Sequence, residues 1–296
     1  MKKYYDYIII GSGVAGNICA YELQKKGWSC LILEKTQKRC EKICGGGIPY
    51  KALEKLKNIG MNLDDLFNKD IVKIKGDVSY IHGRIEETAY AEGNEAIGCR
   101  RTDFDDFLLG EALKKGAEIC WGVPVKNIIS KDDGYSVCDY YARRVIIASG
   151  ARGLHNKYYH GQSMGISAQV MGESSYLSDH FTYYYLNNFR ERYFWIFPIG
   201  KNLWNIGLWY RAPDSSMREN FIKCWNKYVE PNFFVDTILQ SPKAEFCGNI
   251  PLERKEMFLC DSVGDYAGSN NILNGGGIYR AIKSTLKYTD KVAPYY

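Results

Sequence analysis

Residues 4–34 read YYDYIIIGSGVAGNICAYELQKKGWSCLILE. Tyr4 to Ile10 is a short apolar run. Gly11-Ser12-Gly13-Val14-Ala15-Gly16 follows, then a helical pattern to Lys26, then Cys30-Leu31-Ile32-Leu33-Glu34. The order is strand, glycine turn, helix, strand, acid, which is the pattern of a dinucleotide site. Each part has a physical task. Gly11 permits the tight turn, Gly13 lets a pyrophosphate approach the backbone, and Gly16 lets the helix pack closely on the strand. The helix N-terminus, opening at Val14 and Ala15, offers free N–H groups and partial positive charge to phosphates. Glu34 is placed to accept two hydrogen bonds from an adenosine ribose, with Lys35 beside it. The six-residue glycine pattern is weak by itself; its position between strand and helix, with the acid in register, makes it specific.

The chain has 296 residues, enough for one large domain or two smaller ones. Its net charge of +5 is spread among acids with no basic block, which gives nucleic-acid binding no support. A weak attraction to an anionic ligand or an anionic membrane surface stays open. The ten cysteines contain no C-x-x-C pair, and several sit in apolar runs (Cys30, Cys120, Cys260). They read as reduced thiols of a cytoplasmic protein. The apolar run near the N-terminus is too short for a signal peptide and leads directly into the glycine turn. No stretch of apolar residues is long enough to span a bilayer.

Beyond Glu34 lies a basic loop, Lys35 to Lys42, and then Ile43-Cys44-Gly45-Gly46-Gly47-Ile48-Pro49. Three consecutive glycines are costly to order, so such a run signals close backbone approach or unusual dihedrals. A helix is expected from Tyr50 to Asn58, a strand from Ile71 to Tyr80 and another from Ile85 to Tyr90. A further helix starts near Arg101, with Thr102 or Asp103 as its N-cap. Short strands follow at Ala117–Trp121, Val123–Ile129 and Tyr135–Asp139. Arg144 to Gly150 is a buried strand ending in the small turn Ser149-Gly150. Aromatic residues crowd Tyr176 to Tyr210 at strand spacing, which predicts an antiparallel sheet. Ser216–Tyr228 and Phe233–Leu239 read as helices, Lys243–Ile250 and Met257–Val263 as strands. The latter leads into Gly264-Asp265, and Gly275-Gly276-Gly277-Ile278 opens the last helix. The glycine clusters thus lie at both ends and the middle of the chain, and one nucleotide site assembled from distant segments is the economical reading.

The combination resembles the flavin-dependent oxidoreductases of the p-hydroxybenzoate-hydroxylase fold, and among them the geranylgeranyl reductase family. Five segments carry the likeness: Gly11–Gly16 with Glu34; Cys44-Gly45-Gly46-Gly47-Ile48; Arg101-x-x-Phe104-Asp105-x-x-Leu108; Tyr193-Phe194-Trp195-Ile196-Phe197-Pro198; and Gly264-Asp265 with Gly275–Ile278. The resemblance implies an α/β chain: a Rossmann-like FAD-binding domain (1–70, 98–160, 250–296) with an inserted antiparallel-sheet substrate domain (71–97, 161–249). It implies FAD held by Gly11, Gly13, Val14, Ala15, Gly16, Glu34, Lys35, Gly45, Gly46, Arg101, Val125, Ser149, Gly150, Gly264, Asp265, Gly275, Gly276, Gly277 and Ile278. Cys44 is the candidate catalytic residue beside the flavin, a proton donor or shaping contact, with a small apolar filler as the alternative. Tyr193, Trp195, Phe197 and Pro198 are the candidate substrate wall, with an ordinary aromatic core as the alternative. Arg101 has two readings, a pyrophosphate or flavin contact and an exposed salt bridge to Asp105 at a helix start.

By that resemblance the chemistry is hydride transfer through flavin N5 to a C=C bond of an apolar, isoprenoid-like substrate. NAD(P)H or a reduced electron-carrier protein is the expected electron donor, and peripheral membrane contact is compatible with such a substrate. Two departures stand out. Relatives commonly carry Asp-Gly where this chain has Ser149-Gly150, and geranylgeranyl reductases usually continue past the last glycine-led helix, which weakens the case for a long prenyl chain. The alternatives are an aromatic monooxygenase or halogenase on the same fold, and a flavin electron carrier without a small-molecule substrate. His82, His155, His160 and His180 show no metal-ligand spacing, and no metal is expected.

Overall fold

The computed structural model describes residues 3–151, 162–186, 191–249, 260–269 and 276–295. The opening βαβ unit is β1 (Tyr4–Ile10), α1 (Val14–Lys25) and β2 (Cys30–Glu34). Then come β3 (Gly47–Ile48), α2 (Tyr50–Asn58), α3 (Asp64–Phe67), β4 (Val72–Ile74), β5 (Gly76–Ile81), β6 (Arg84–Ala89) and β7 (Ala96–Gly98). Helix α4 (Arg101–Lys114) leads to β8 (Glu118–Trp121), β9 (Ile128–Lys131), β10 (Gly134–Val137) and β11 (Tyr140–Ile147). The second half holds β12 (Gln162–Ser174), β13 (His180–Tyr185), β14 (Arg192–Gly200), β15 (Leu203–Tyr210) and α5 (Met217–Cys224), which runs into a π turn at Trp225–Val229. Last are β16 (Phe233–Asn249), β17 (Asp261–Ser262), a 3-10 turn at Gly264–Ala267 and α6 (Ile278–Thr289).

The first sheet has the order β8-β2-β1-β11-β10-β9, with β17 also on β11. Strands β8, β2, β1, β11 and β17 run parallel, while β10 and β9 are antiparallel. A parallel sheet is covered on both faces, so its strands read as unbroken apolar runs. YIII and CLIL are such runs. Ile9 and Ile32 face a core shared with Ile18 and Leu23 of α1, Phe104 and Leu108 of α4, and Ile282 of α6. Ile8, Ile10, Leu31 and Leu33 face the opposite core, with Val145 and Ile147. Each such fully buried aliphatic side chain contributes about 1.5–3 kcal/mol.

The second sheet, β16-β12-β15-β14-β13-β5-β6, is antiparallel except for the parallel pair β13–β5. Strand alternation sorts its aromatic residues into two sets. Phe194, Ile196, Leu208 and Tyr210 form a core with Met217 and Phe221 of α5. Trp195 and Phe197 turn to the other face, with Phe181 and Trp209. A small third sheet, β3-β7-β4, is built from Gly47–Ile48, Ala96–Gly98 and Val72–Ile74.

Four expectations are corrected. The strand expected over Val123–Ile129 is absent from 123–127 and runs instead as β9, Ile128–Lys131. Phe233–Leu239 is not helical; it begins the long strand β16, paired along β12. The single strand expected over Ile71–Tyr80 is two, β4 in the small sheet and β5 in the second sheet. Neither Thr102 nor Asp103 caps α4; its N-cap is Arg100, and the Arg101 N–H is taken by Glu41 Oε1 at 3.1 Å. The Met257–Val263 strand, His155 and His160 fall in part or wholly outside the described residues. The nine described cysteines are all free thiols. Among the described residues no helix is long and apolar enough to cross a membrane.

Candidate functional site

The site begins at the glycine turn between β1 and α1. Gly11 has φ +106°, and a Cβ there would stand 2.7 Å from the Ala148 carbonyl oxygen of the neighbouring chain segment. A Cβ on Gly16 would fall on the Gly11 carbonyl oxygen, so this glycine is required for α1 to sit against the turn. Gly13 is different: a Cβ there would meet nothing within 4 Å, because Gly13 opens onto a cleft. Glu34 accepts hydrogen bonds from the Ser12 N–H at 2.9 Å and from the Thr36 N–H and hydroxyl, both at 3.1 Å. The acid therefore braces the turn as well as closing β2.

The turn has a second brace that the sequence reading missed. Arg39, in the loop after β2, donates to the Ser12 carbonyl, to Ser12 Oγ at 3.2 Å and to the Asp105 carbonyl at 3.3 Å. Asn17 reaches the same Asp105 carbonyl at 3.1 Å. The start of α4 is thus tied to the glycine turn, which brings Arg101 to the cleft. Arg101 is buried and makes a two-pronged pair with Asp105 at 2.9 and 3.0 Å. Burial works against its charge, but Asp105 and Cys44 act the other way and carry its pKa above the ordinary value. Its Nε finds no partner among the described residues.

The other end of the chain arrives through β17. Ile147 lies opposite Ser262, and the Val263 N–H donates to the Ile147 carbonyl at 3.0 Å. Gly264, at φ +66°, comes so close to α1 that a Cβ would stand 2.6 Å from the Ala15 Cβ. This delivers Asp265 to the cleft, with Lys42 at 3.6 Å from its Oδ2. Asp265 Oδ1 is buried and has no partner among the described groups. Gly277 and Ile278 at the start of α6 close the same cleft.

The triple glycine after Cys44 has a concrete cause. A Cβ on Gly45 would lie 2.5 Å from the Phe197 ring, and one on Gly47 would lie 2.9 Å from the Phe181 ring. Gly46 has φ +79° and abuts the Cys99 carbonyl. The segment is laid flat on the aromatic face of the second sheet. Cys44 is half-buried at the junction of the cleft and a larger cavity of about 500 Å³. Gly45, Tyr193, Phe197, Gly277 and Ile278 line both spaces. That volume falls within the roughly 300–1,000 Å³ of small-molecule sites.

The cleft therefore unites Gly13, Val14, Ala15, Cys44, Gly45, Arg101, Gly150, Asp265, Gly277 and Ile278 with Tyr193, Trp195 and Phe197. Gly276 lines only the larger cavity. Gly11, Gly16, Gly46 and Gly264 shape the backbone around it instead of facing it. The Ser149 hydroxyl is buried beside Gly150 and has no partner among the described residues. Lys35 is exposed, and Val125 packs against the core under the first sheet. Pro198 follows the parity of Phe194 and Ile196, so it lies on the strand face opposite Trp195 and Phe197, outside both spaces. Gly275 lies outside the described residues. Lys42 and Trp209, which the motifs do not mark, also line the cleft, and the Trp209 Nε1–H is a buried donor with no partner among the described residues. Among the described residues no group of ligating side chains could hold a metal ion.

The residues suit FAD. The cleft presents a glycine-lined helix start for phosphates, an orphaned acceptor at Asp265 Oδ1 for a hydroxyl, and orphaned donors at Arg101 Nε and Trp209 Nε1 for ring or phosphate acceptors. Residues 4–144 match the FAD binding domain family. Digeranylgeranylglycerophospholipid reductase 1 of Methanococcoides burtonii is 26% identical, over 99% of this chain and 75% of its own length.

This chain is an FAD-dependent oxidoreductase, similar in sequence to that reductase.

The flavoenzyme shares its fold with a geranylgeranyl bacteriochlorophyll reductase-like protein of Thermoplasma acidophilum. The TM-score is 0.78 at 20% identity, covering 97% of this chain and 77% of that one. The myxobacterial chondrochloren halogenase, an FAD-dependent halogenase, has the same fold at a TM-score of 0.75 and 14% identity, covering 99% and 77%. These two likenesses concern the fold of the flavoenzyme, which is mixed α/β as expected.

Proposed function

We propose that this flavoenzyme reduces a C=C bond in an apolar, isoprenoid-like substrate. The observation that carries the reading is the continuity between the FAD-type cleft and the aromatic-walled cavity at Cys44. The reductase name of the 26% identical Methanococcoides relative points the same way. Bound FAD would supply hydride through N5.

The protein's contribution is position and polarity. Glu34 and Gly13 would hold the adenosine ribose and pyrophosphate, with Arg39 keeping the turn rigid. Asp265 would accept from a ribityl hydroxyl, and the start of α6 at Gly277 would favour negative charge on the reduced ring. Cys44, Tyr193 and Phe197 would form the wall between ring and substrate. In this reading segments 1–70, 98–160 and 250–296 serve FAD, and 71–97 and 161–249 serve the substrate. The electrons come from NAD(P)H or a reduced carrier protein.

The test is direct. Anaerobically reduced, FAD-loaded protein is mixed with prenyl alcohols and prenyl glycerol ethers of graded length, and flavin absorbance is followed. Rapid reoxidation with formation of saturated product is expected. No reoxidation across the series, with substrate-stimulated oxygen and NAD(P)H consumption instead, would give the site to a monooxygenase or halogenase.

A further inference from the structure

The aromatic cavity has a polar floor that the C=C reduction leaves unexplained. On β5, Asp77 and Ser79 point to the same side as Phe181 and Tyr183 of the adjacent β13. On β6, Thr88 and Glu86 stand opposite them. All line the space that reaches Cys44. Asp77 is the outstanding member. Tyr90 Oη donates to its Oδ1 at 2.6 Å, and both side chains are partly buried. A partly buried acid on the wall of the cavity, its carboxyl fixed by one hydroxyl, is placed to act as a general acid.

We infer that Asp77, oriented by Tyr90, is the proton donor of the reduction. The inference rests on the C=C reading above. Saturating a C=C bond takes a hydride at one carbon, with its electron pair, and a proton at the other. Bound reduced FAD would supply the hydride and with it the two electrons. The π pair takes the proton from the Asp77 carboxyl: the O–H bond breaks, a C–H bond forms, and a carboxylate remains. Water reprotonates it. Tyr90 holds the carboxyl through Oδ1, which leaves the other oxygen for the substrate.

The electrostatics agree. Burial raises the Asp77 pKa, while the Tyr90 hydrogen bond and nearby His180 on β13 pull it part of the way back. Among the described residues, the other titratable or charged groups on this cavity are Tyr183, Tyr185, Tyr193 and Glu86 from the second sheet, Cys44 from the glycine segment, Lys51 from α2, and Tyr279 and Arg280 from α6. Burial pushes the Tyr183 hydroxyl far up, so it does not compete as an acid at neutral pH.

The experiment compares wild-type, Asp77→Asn and Tyr90→Phe proteins, each loaded with FAD to the same visible spectrum. Single-turnover reoxidation by a prenyl substrate is measured against pH. Wild-type is expected to slow as pH rises through the Asp77 pKa. D77N should be slower by about 100-fold or more, the lower range of general acid catalysis, and should lose that alkaline limb. Y90F removes a contact that lowers the Asp77 pKa, so its limb should move to higher pH. Infrared spectra of the oxidised, substrate-free protein provide a readout independent of turnover: a protonated-carboxyl C=O band that titrates above the ordinary carboxylate range and is missing in D77N. Wild-type rate and pH profile in D77N, or no such band, would overturn the inference. A wild-type protein that no prenyl substrate reoxidises would instead remove the C=C reading, and the proton donor with it.

Discussion

Gly13 and Gly16 are three residues apart and carry opposite constraints. Gly16 answers to the fold, since any Cβ there meets the Gly11 carbonyl. Gly13 answers to what enters the cleft, since a Cβ there meets nothing. Its backbone, at φ −93° and ψ −170°, is open to any residue. Gly16→Ala is therefore expected to lower stability by about 1–3 kcal/mol or more, as overpacking against backbone does. Gly13→Ala should leave stability within about 0.5 kcal/mol of wild type. It should weaken FAD by roughly tenfold, about 1.4 kcal/mol. Urea unfolding of the apoprotein and flavin fluorescence titration separate the two effects. Equal loss of stability in both variants would show that the turn is purely structural.

Among elements, α4 illustrates how a motif is placed by contacts that its own sequence does not contain. The Arg-x-x-Phe-Asp pattern identified the helix; Arg101 does pair with Asp105, but the pair is buried where an exposed one was the expectation, and Arg101 lines the cleft. What put it there is Arg39 and Asn17 gripping the Asp105 carbonyl, and neither residue announces this through periodicity. Removing one member of a buried pair strands the other, at a cost of about 3–5 kcal/mol. Asp105→Asn should unfold at correspondingly lower denaturant, whereas the exposed pair Lys223–Glu219 should tolerate Glu219→Gln with little change. A similar small effect for both would contradict a buried, desolvated Arg101. Strand β16 shows where sequence reading failed. FFVDTIL looked helical because its apolar residues do not alternate, and Phe234, Val235, Ile238 and Leu239 are all exposed on this edge strand. Phe233 is buried, but from Phe234 to Leu239 neither face is, so no period-2 signal exists, and register shifts along the β12 pairing remove what remains. The buried strands β1, β2 and β14 were legible because burial had imposed a pattern on them. The polar floor at Asp77 and Ser79 was not, since polar residues alternating along a strand read as a solvent-facing side.

In the molecule as a whole, the large cores are apolar, and among the described residues three buried polar atoms without a partner belong to residues lining the cleft: Asp265 Oδ1, Arg101 Nε and Trp209 Nε1. Such groups weaken a fold until a ligand satisfies them. Asp77 belongs to the same trade between stability and activity, and its sign can be worked out. Its folded-state pKa is raised, chiefly by burial. At pH below the ordinary aspartate value, folded and unfolded chains are both protonated and Asp77 has no effect on stability. As pH climbs, the unfolded chain ionises first, and the folded chain is left holding the extra proton. Stability therefore falls across the window from the ordinary pKa to the raised one, then stays at the lower level. Asp77→Asn keeps the shape and the acceptor for Tyr90 but cannot ionise. Its melting temperature should match wild type in acid, exceed it at neutral and alkaline pH, and differ by a constant amount above the raised pKa. Thermal unfolding of both proteins over a pH series measures this without substrate. A variant less stable than wild type at pH 8 would mean that the Asp77 charge is welcome in the folded cavity, and a carboxylate at home there has no proton to give.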